Sequence, residues 1–176
     1  LNSGTQASNP PTSYTVDTTT FNLPTPTRTG YTFEGWYASS DFSGTKVTQI
    51  AKGTTGNKTY YAKWTIVTYS ITYNLNSGTQ ASNPPTSYTV DTATFNLPTP
   101  TRTGYSFEGW YTSSDFSGTK VTQIAKGTTG NKTYYAKWKE YYVKVVYHPT
   151  NATTIQFKGV GKDESTFENE TIQYVY

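Results

Sequence analysis

Residues 68–74 alternate strictly. Tyr69, Ile71 and Tyr73 fall on one parity and Ser70, Thr72 and Asn74 on the other, the period of two that marks a half-buried strand. A second short strand is predicted over 87–90, with Tyr88 and Val90 inward, and a third over 133–138, with Tyr134, Ala136 and Trp138 toward the core. Between them, Asn76, Ser77 and Gly78 form a turn signal. Asn83-Pro84-Pro85-Thr86 reads as extended chain, because proline restricts its predecessor as well as itself. Phe95 and Leu97 are candidate core anchors, and the prolines at 98 and 100 exclude helix and central strand for the segment that follows. Val121 and Ile124 stand three apart, which predicts one helical turn. Residues 128–131 read as a hairpin-like turn.

Residues 104–111 carry the sharpest conflict of pattern. Tyr105 and Phe107 share one parity, whereas Trp110 has the other. A regular strand would send the tryptophan into solvent. A bulge at Gly109 resets the phase and brings Phe107 and Trp110 inward together. By parity Tyr111 then faces outward, as does Tyr135 on the closing strand.

All of this occurs twice. Residues 1–64 reappear as 75–138 at an offset of 74, and only Thr19/Ala93, Thr32/Ser106 and Ala38/Thr112 differ. A fixed period of this length indicates a modular array. The organisation predicted is one module over 1–66, a second over 67–138 and a divergent β-rich C-terminal unit over 139–176. Residues 69–74 have no counterpart ahead of Leu1, so the first module reads as lacking its opening strand. With no methionine, the chain reads as a processed or excised piece. In the tail, Val143, Val145 and Tyr147 repeat the Tyr69, Ile71, Tyr73 pattern. Residues 154–160 and 171–176 suggest two more strands.

Composition supports small aromatic cores. There are 17 Tyr, 8 Phe and 4 Trp, yet mean hydropathy is only −0.67. A module of about 70 residues lies near the lower limit for a self-sufficient core, and large rings are an efficient way to fill one. The fold class predicted is mainly β, with minimal helix. Its core would hold Phe33, Trp36 and Trp64 in the first copy and Phe107, Trp110 and Trp138 in the second.

Charge and chemistry narrow the function. The net charge is +3 without a basic stripe, which speaks against nucleic acid. No apolar run reaches membrane-spanning length. The absence of cysteine removes disulfides and thiol chemistry. His148 is the only histidine, so no Ser-His-Asp set is available within the repeats. Each repeat holds three carboxylates (Asp17, Glu34, Asp41 and their equivalents Asp91, Glu108, Asp115), which read as solvated surface rather than a hydrolytic pair. Asp163, Glu164, Glu168 and Glu170 lack the spacing of a calcium loop. An isopeptide bond from Lys144 would suit a cysteine-free surface protein, but no second feature supports it. No enzyme and no cofactor is expected. If any surface binds, the outward aromatics Tyr37, Tyr61, Tyr111 and Tyr135 are the candidates, since aromatic residues anchor interfaces.

GYTFEGWY at 30–37, GYSFEGWY at 104–111 and the YAKW termini at 61–64 and 135–138, together with the YSITYN strand and NSG turn, carry a resemblance. The chain resembles the Listeria–Bacteroides repeat, the B-repeat of internalin-type surface proteins, over residues 1–138. The resemblance implies a β-grasp-like module, akin to ubiquitin-like and mucin-binding folds, within a multidomain bacterial surface protein, and no catalytic residues. The function expected is a non-enzymatic stalk or interaction module of an adhesin at the bacterial cell surface or wall, a monomeric segment of a larger chain. Its partner would be a host or neighbouring-cell surface protein or glycan. A carbohydrate- or mucin-binding module with one weak aromatic site per repeat is the alternative.

Overall fold

The computed structural model describes residues 1–140, 144–147 and 155–158. Among them every regular element is a strand. The chain divides into two compact units. One comprises Leu1–Ser70, Ser87–Ala93 and Ala125–Asn131. The other comprises Ile71–Thr86, Thr94–Ile124 and Lys132–Tyr176. Two segments of the second copy therefore belong to the first unit.

In the first unit, β1 (Phe21–Asn22) pairs antiparallel with β3 (Gln49–Ile50), and β2 (Tyr31–Tyr37) pairs antiparallel with β4 (Tyr61–Ile66). β5 (Tyr69–Asn74) begins here, where Tyr69 and Ser70 stand opposite Tyr88 and Ser87 of β6 (Ser87–Tyr88). In the second unit, β7 (Phe95–Asn96) pairs with β9 (Gln123–Ile124), and β8 (Tyr105–Tyr111) runs antiparallel to β10 (Lys132–Glu140). The rest of β5 lies parallel to β10, with Ile71 opposite Lys132 and Asn74 opposite Tyr135. A parallel pair cannot be closed by a hairpin, and here the whole module intervenes between its first and last strands. The C-terminal segment adds β11 (Lys144–Tyr147) antiparallel to β12 (Ile155–Lys158). The strand predicted over 171–176, together with Val143, His148 and the acidic residues 163–170, lies outside the described residues.

The helical turn predicted from Val121 and Ile124 does not form. Val121 instead donates its amide to the Trp110 carbonyl at 2.8 Å, and Gln123–Ile124 is strand β9. A spacing of three in so short a segment does not separate helix from strand, and here the available edge of β8 and the β7 partner decide it.

The bulge sits where the parity conflict placed it. Trp138 stands opposite Phe107, while Lys137 stands opposite Gly109, so Glu108 is the extra residue; β2 repeats this around Glu34. Gly109 has φ 143° and Gly35 φ 147°, a region that favours glycine. With the phase reset, the Trp110 indole N–H donates to the Pro98 carbonyl at 2.7 Å and its ring meets Phe107 edge-on at 5.4 Å. Trp36 does the same with the Pro24 carbonyl at 2.8 Å and with Phe33 at 5.5 Å. Trp36, Trp110, Ala62 and Ala136 are buried, whereas Phe33, Trp64, Phe107 and Trp138 are half-buried. Trp64 and Trp138 spend their indole donors on the carbonyls of Leu1 and Leu75. The opening turn of each copy is thereby tied to its closing strand.

One polar atom in this core is costly. The Tyr73 hydroxyl is buried and has no hydrogen-bond partner, and its ring lies 5.1 Å from that of Trp110. Burial, and the neighbouring Tyr134, push its pKa up to about 12, and burial raises that of Tyr134 as well. Both phenols stay neutral in the folded protein while they ionise near pH 10 once unfolded. Their contribution is present below pH 10 and is lost as pH rises from there toward 12, because the unfolded state releases protons first. Tyr73→Phe is expected to keep or raise stability, since it removes an unsatisfied group, and to flatten this alkaline decline. Urea melts at several pH values between 8 and 11.5 check it; a steeper decline in the variant would refute it.

Candidate interaction surface

The four tyrosines singled out by parity form two cross-strand pairs. Tyr37 stands opposite Tyr61 on β2 and β4, and Tyr111 opposite Tyr135 on β8 and β10. Tyr61, Tyr111 and Tyr135 are half-buried. Tyr37 corrects the outward reading, since its ring is only 7% exposed. A ring from the loop after β2 lies against it. Phe42 adopts φ 60°, and its amide donates to the Ser39 carbonyl at 3.1 Å. The ring folds back edge-on to Tyr37 at 5.8 Å. Phe116 repeats this against Tyr111, also at 5.8 Å.

The loop is held by its aspartate. Asp41 accepts the Ser43 amide at 2.8 Å and Asp115 accepts the Ser117 amide at 2.9 Å. Hydrogen bonds from Ser39 and Ser43 hold the Asp41 carboxyl down to about 2, and those from Ser113 and Ser117 do the same for Asp115. These carboxylates thus order a turn and present no raised pKa of the kind a general acid needs.

A cation completes each cluster. The Lys63 ammonium lies 5.4 Å from the Tyr37 ring centroid and 5.8 Å from that of Phe42; Lys137 lies 5.6 Å from Tyr111. Lys137 is also 3.2 Å from the Glu108 carboxylate, a partly exposed pair. Both partners are solvated, so the pair adds little to stability. Each cluster holds tyrosine edges, a phenyl ring and a lysine on one sheet face. That arrangement can offer ring edges and a few donors to a partner, but no nucleophile, base or electrophile set in reacting geometry.

A second feature, which the sequence pattern does not reveal, lies beside the bulge in the second unit. A cavity of about 350 Å³ is lined by Asn96, Leu97, Phe107, Trp110, Lys120 and Thr122, among others. No sequence signal points to it, because its walls come from three separated segments. Among the described residues, no three His, Cys, Asp or Glu side chains group closely enough to hold a metal. No helix there is long and apolar enough to cross a membrane.

Comparison with known proteins now adds to this geometry. The model of the Listeria-Bacteroides repeat domain matches residues 1–63 and again 69–137. The chain belongs to the Listeria-Bacteroides repeat family. Its two matches overlie the two copies, the second beginning at β5, and include both bulged strands and part of each closing strand. Among curated proteins, this family member is 37% identical over 120 residues to a protein of Evansella cellulosilytica named as a Gly-rich membrane protein, covering 65% of the chain and 13% of the relative. A second protein of that organism, named as a membrane protein, is 31% identical over 121 residues, with 65% and 17% covered. Internalin H of Listeria monocytogenes is 33% identical over 115 residues, with 64% and 20% covered. The chain thus spans no more than a fifth of the length of these relatives. No solved structure matches it.

Proposed function

We propose that this Listeria-Bacteroides repeat chain is a non-enzymatic segment of a bacterial cell-surface protein, acting as a stalk or interaction module that carries other domains outward. One observation carries the reading: copies that differ at three of 64 positions build the same contacts twice, from the Trp–Pro bonds to the Phe42 and Phe116 loops. Repetition multiplies reach or valency and adds no new site. The similarity to internalin H and to two proteins named for membranes supports a place at the cell envelope.

Glycan binding at the tyrosine clusters is the second reading, favoured by the cross-strand pairing of Tyr111 with Tyr135 beneath Lys137. The burial of Tyr37 weakens it for the first copy. The test is a series with two, four and six repeats. For a stalk, the maximum dimension from small-angle scattering is expected to grow by a constant step per added pair, with no glycan-array signal. A dimension that stops growing would sink the stalk. Glycan binding that is abolished by Tyr135→Ala and multiplied with repeat number by avidity would establish the second reading instead.

A further inference from the structure

The two copies share a turn whose surroundings differ. In copy two, Val90 and Asp91 occupy the centre of a turn closed by the Thr92 amide on the Thr89 carbonyl at 3.1 Å, and the Thr92 hydroxyl accepts the Thr89 amide at 2.9 Å. In copy one, Val16 and Asp17 occupy the same turn, with bonds of 3.1 and 2.8 Å. The backbone is thus the same, and the exposure is not. Val90 is 8% exposed and Val16 is 51% exposed.

The cause is a second turn that receives Val90 and Asp91 inside the first unit. Arg28 through Tyr31 form it, closed by the Tyr31 amide on the Arg28 carbonyl at 3.0 Å. The Arg28 guanidinium lies 3.5 Å from the Tyr31 ring centroid, and the Tyr31 hydroxyl donates to the Asp91 carboxylate. Val90 fills the notch left by Gly30. A β-carbon there would lie 2.2 Å from Val90 Cγ1, and Gly30 has φ 76°. Glycine is therefore required at this position twice over, for space and for backbone. A valine knob, a glycine notch, and a phenol–carboxylate bond make a small complementary joint.

The receiving turn also exists twice. Arg102 through Tyr105 repeat it, with the Tyr105 amide on the Arg102 carbonyl at 3.1 Å, Arg102 at 3.7 Å from the Tyr105 ring centroid, and Gly104 at φ 79°. Among the described residues, nothing comes within 4 Å of a β-carbon built on Gly104. The chain therefore carries the knob a second time in its first unit, where Val16 is exposed, and the notch a second time in its second unit, open among the described residues.

The geometry points to a head-to-tail docking surface, on which Val16 and Asp17 of one chain seat against Arg102, Gly104 and Tyr105 of a second copy of this chain. The apolar contact supplies affinity, because Val16 is a large apolar side chain left in water. The Tyr105 hydroxyl donates to Asp17 as Tyr31 does to Asp91, which fixes the direction. The two faces are different, so the contact is heterologous and chains add head to tail, beyond a dimer. A difference in charge between the two notches bears on this: Glu140 stands opposite Tyr105, where Ile66 stands opposite Tyr31. That carboxylate brings a like charge toward the incoming Asp17 and weakens the joint between chains.

Sedimentation velocity on the 176-residue chain tests this. The range runs from about 10 µM to about 1 mM, the effective concentration that a short linker gives the same joint within one chain. The weight-average coefficient is expected to rise with concentration without a plateau at dimer. Val16→Asp, and separately Tyr105→Glu, are expected to stay monomeric, and their equimolar mixture to stop at dimer. Should Tyr105→Glu lose its fold by circular dichroism, Tyr105→Phe serves, with growth reduced several-fold. Glu140→Gln is expected to extend growth. A wild-type chain that stays monomeric to about 1 mM, variants that associate like wild type, or a mixture that grows past dimer would each overturn the proposal.

Discussion

Trp110→Ala is expected to destabilise the second unit by about 3–5 kcal/mol, the range for removing a large buried ring. The residue is 2% exposed. Its ring is met by Phe107 at 5.4 Å and Tyr73 at 5.1 Å, and Ala136 opposite it on β10 leaves it room. The substitution leaves a cavity that these neighbours fill only in part, and it strips the Pro98 carbonyl of its donor. Trp36→Ala should cost less. It keeps the equivalent bond to Pro24 and the equivalent contact with Phe33, but it is 8% exposed where Trp110 is 2% exposed. Thermal melts of the two variants side by side decide it. In a domain of this size about 4–8 °C is lost per kcal/mol, so an unchanged melting temperature for Trp110→Ala would remove it from the core.

Gly109→Val is the second large effect, expected at about 1–3 kcal/mol, the usual cost of holding a side chain in a sparsely populated backbone region. A β-carbon at φ 143° would also meet the Lys120 side chain at 2.5 Å, but that stem is flexible and can move aside. Backbone strain therefore outweighs the clash. Relieving it by flattening the bulge would slip the register by one and turn Trp110 to solvent. Gly35→Val should behave alike in the first unit, because φ and the extra residue are the same. Denaturant melts measure both; a variant as stable as wild type would show that the bulge does not depend on glycine.

These two residues also show how much is legible in the sequence. Phe107 and Trp110 conflict in parity, and only a bulge reconciles them, so one strand irregularity and the two central tryptophans can be read from spacing alone. The alternation of Tyr69, Ile71 and Tyr73 likewise suffices for β5. Val121 and Ile124 mislead because two apolar residues three apart fit a helical turn and an extended edge equally, and only the nearby Trp110 carbonyl distinguishes them. The burial of Tyr37 is out of reach for another reason. Its contact with Phe42 needs that residue in a left-handed conformation that phenylalanine seldom adopts, held by an aspartate turn two residues long. The bond from Tyr31 to Asp91 spans 60 residues and leaves no local trace. Periodicity and its exceptions are local and visible in the letters; long-range placement is not.

The parallel pairing of β5 with β10 has a mechanical meaning. The second copy enters through β5 and leaves through β10, so tension on its two ends pulls neighbouring parallel strands in opposite directions along their length. The bonds from Ile71–Lys132 to Asn74–Tyr135 are then loaded together in shear and must fail together, rather than opening one after another like a zip.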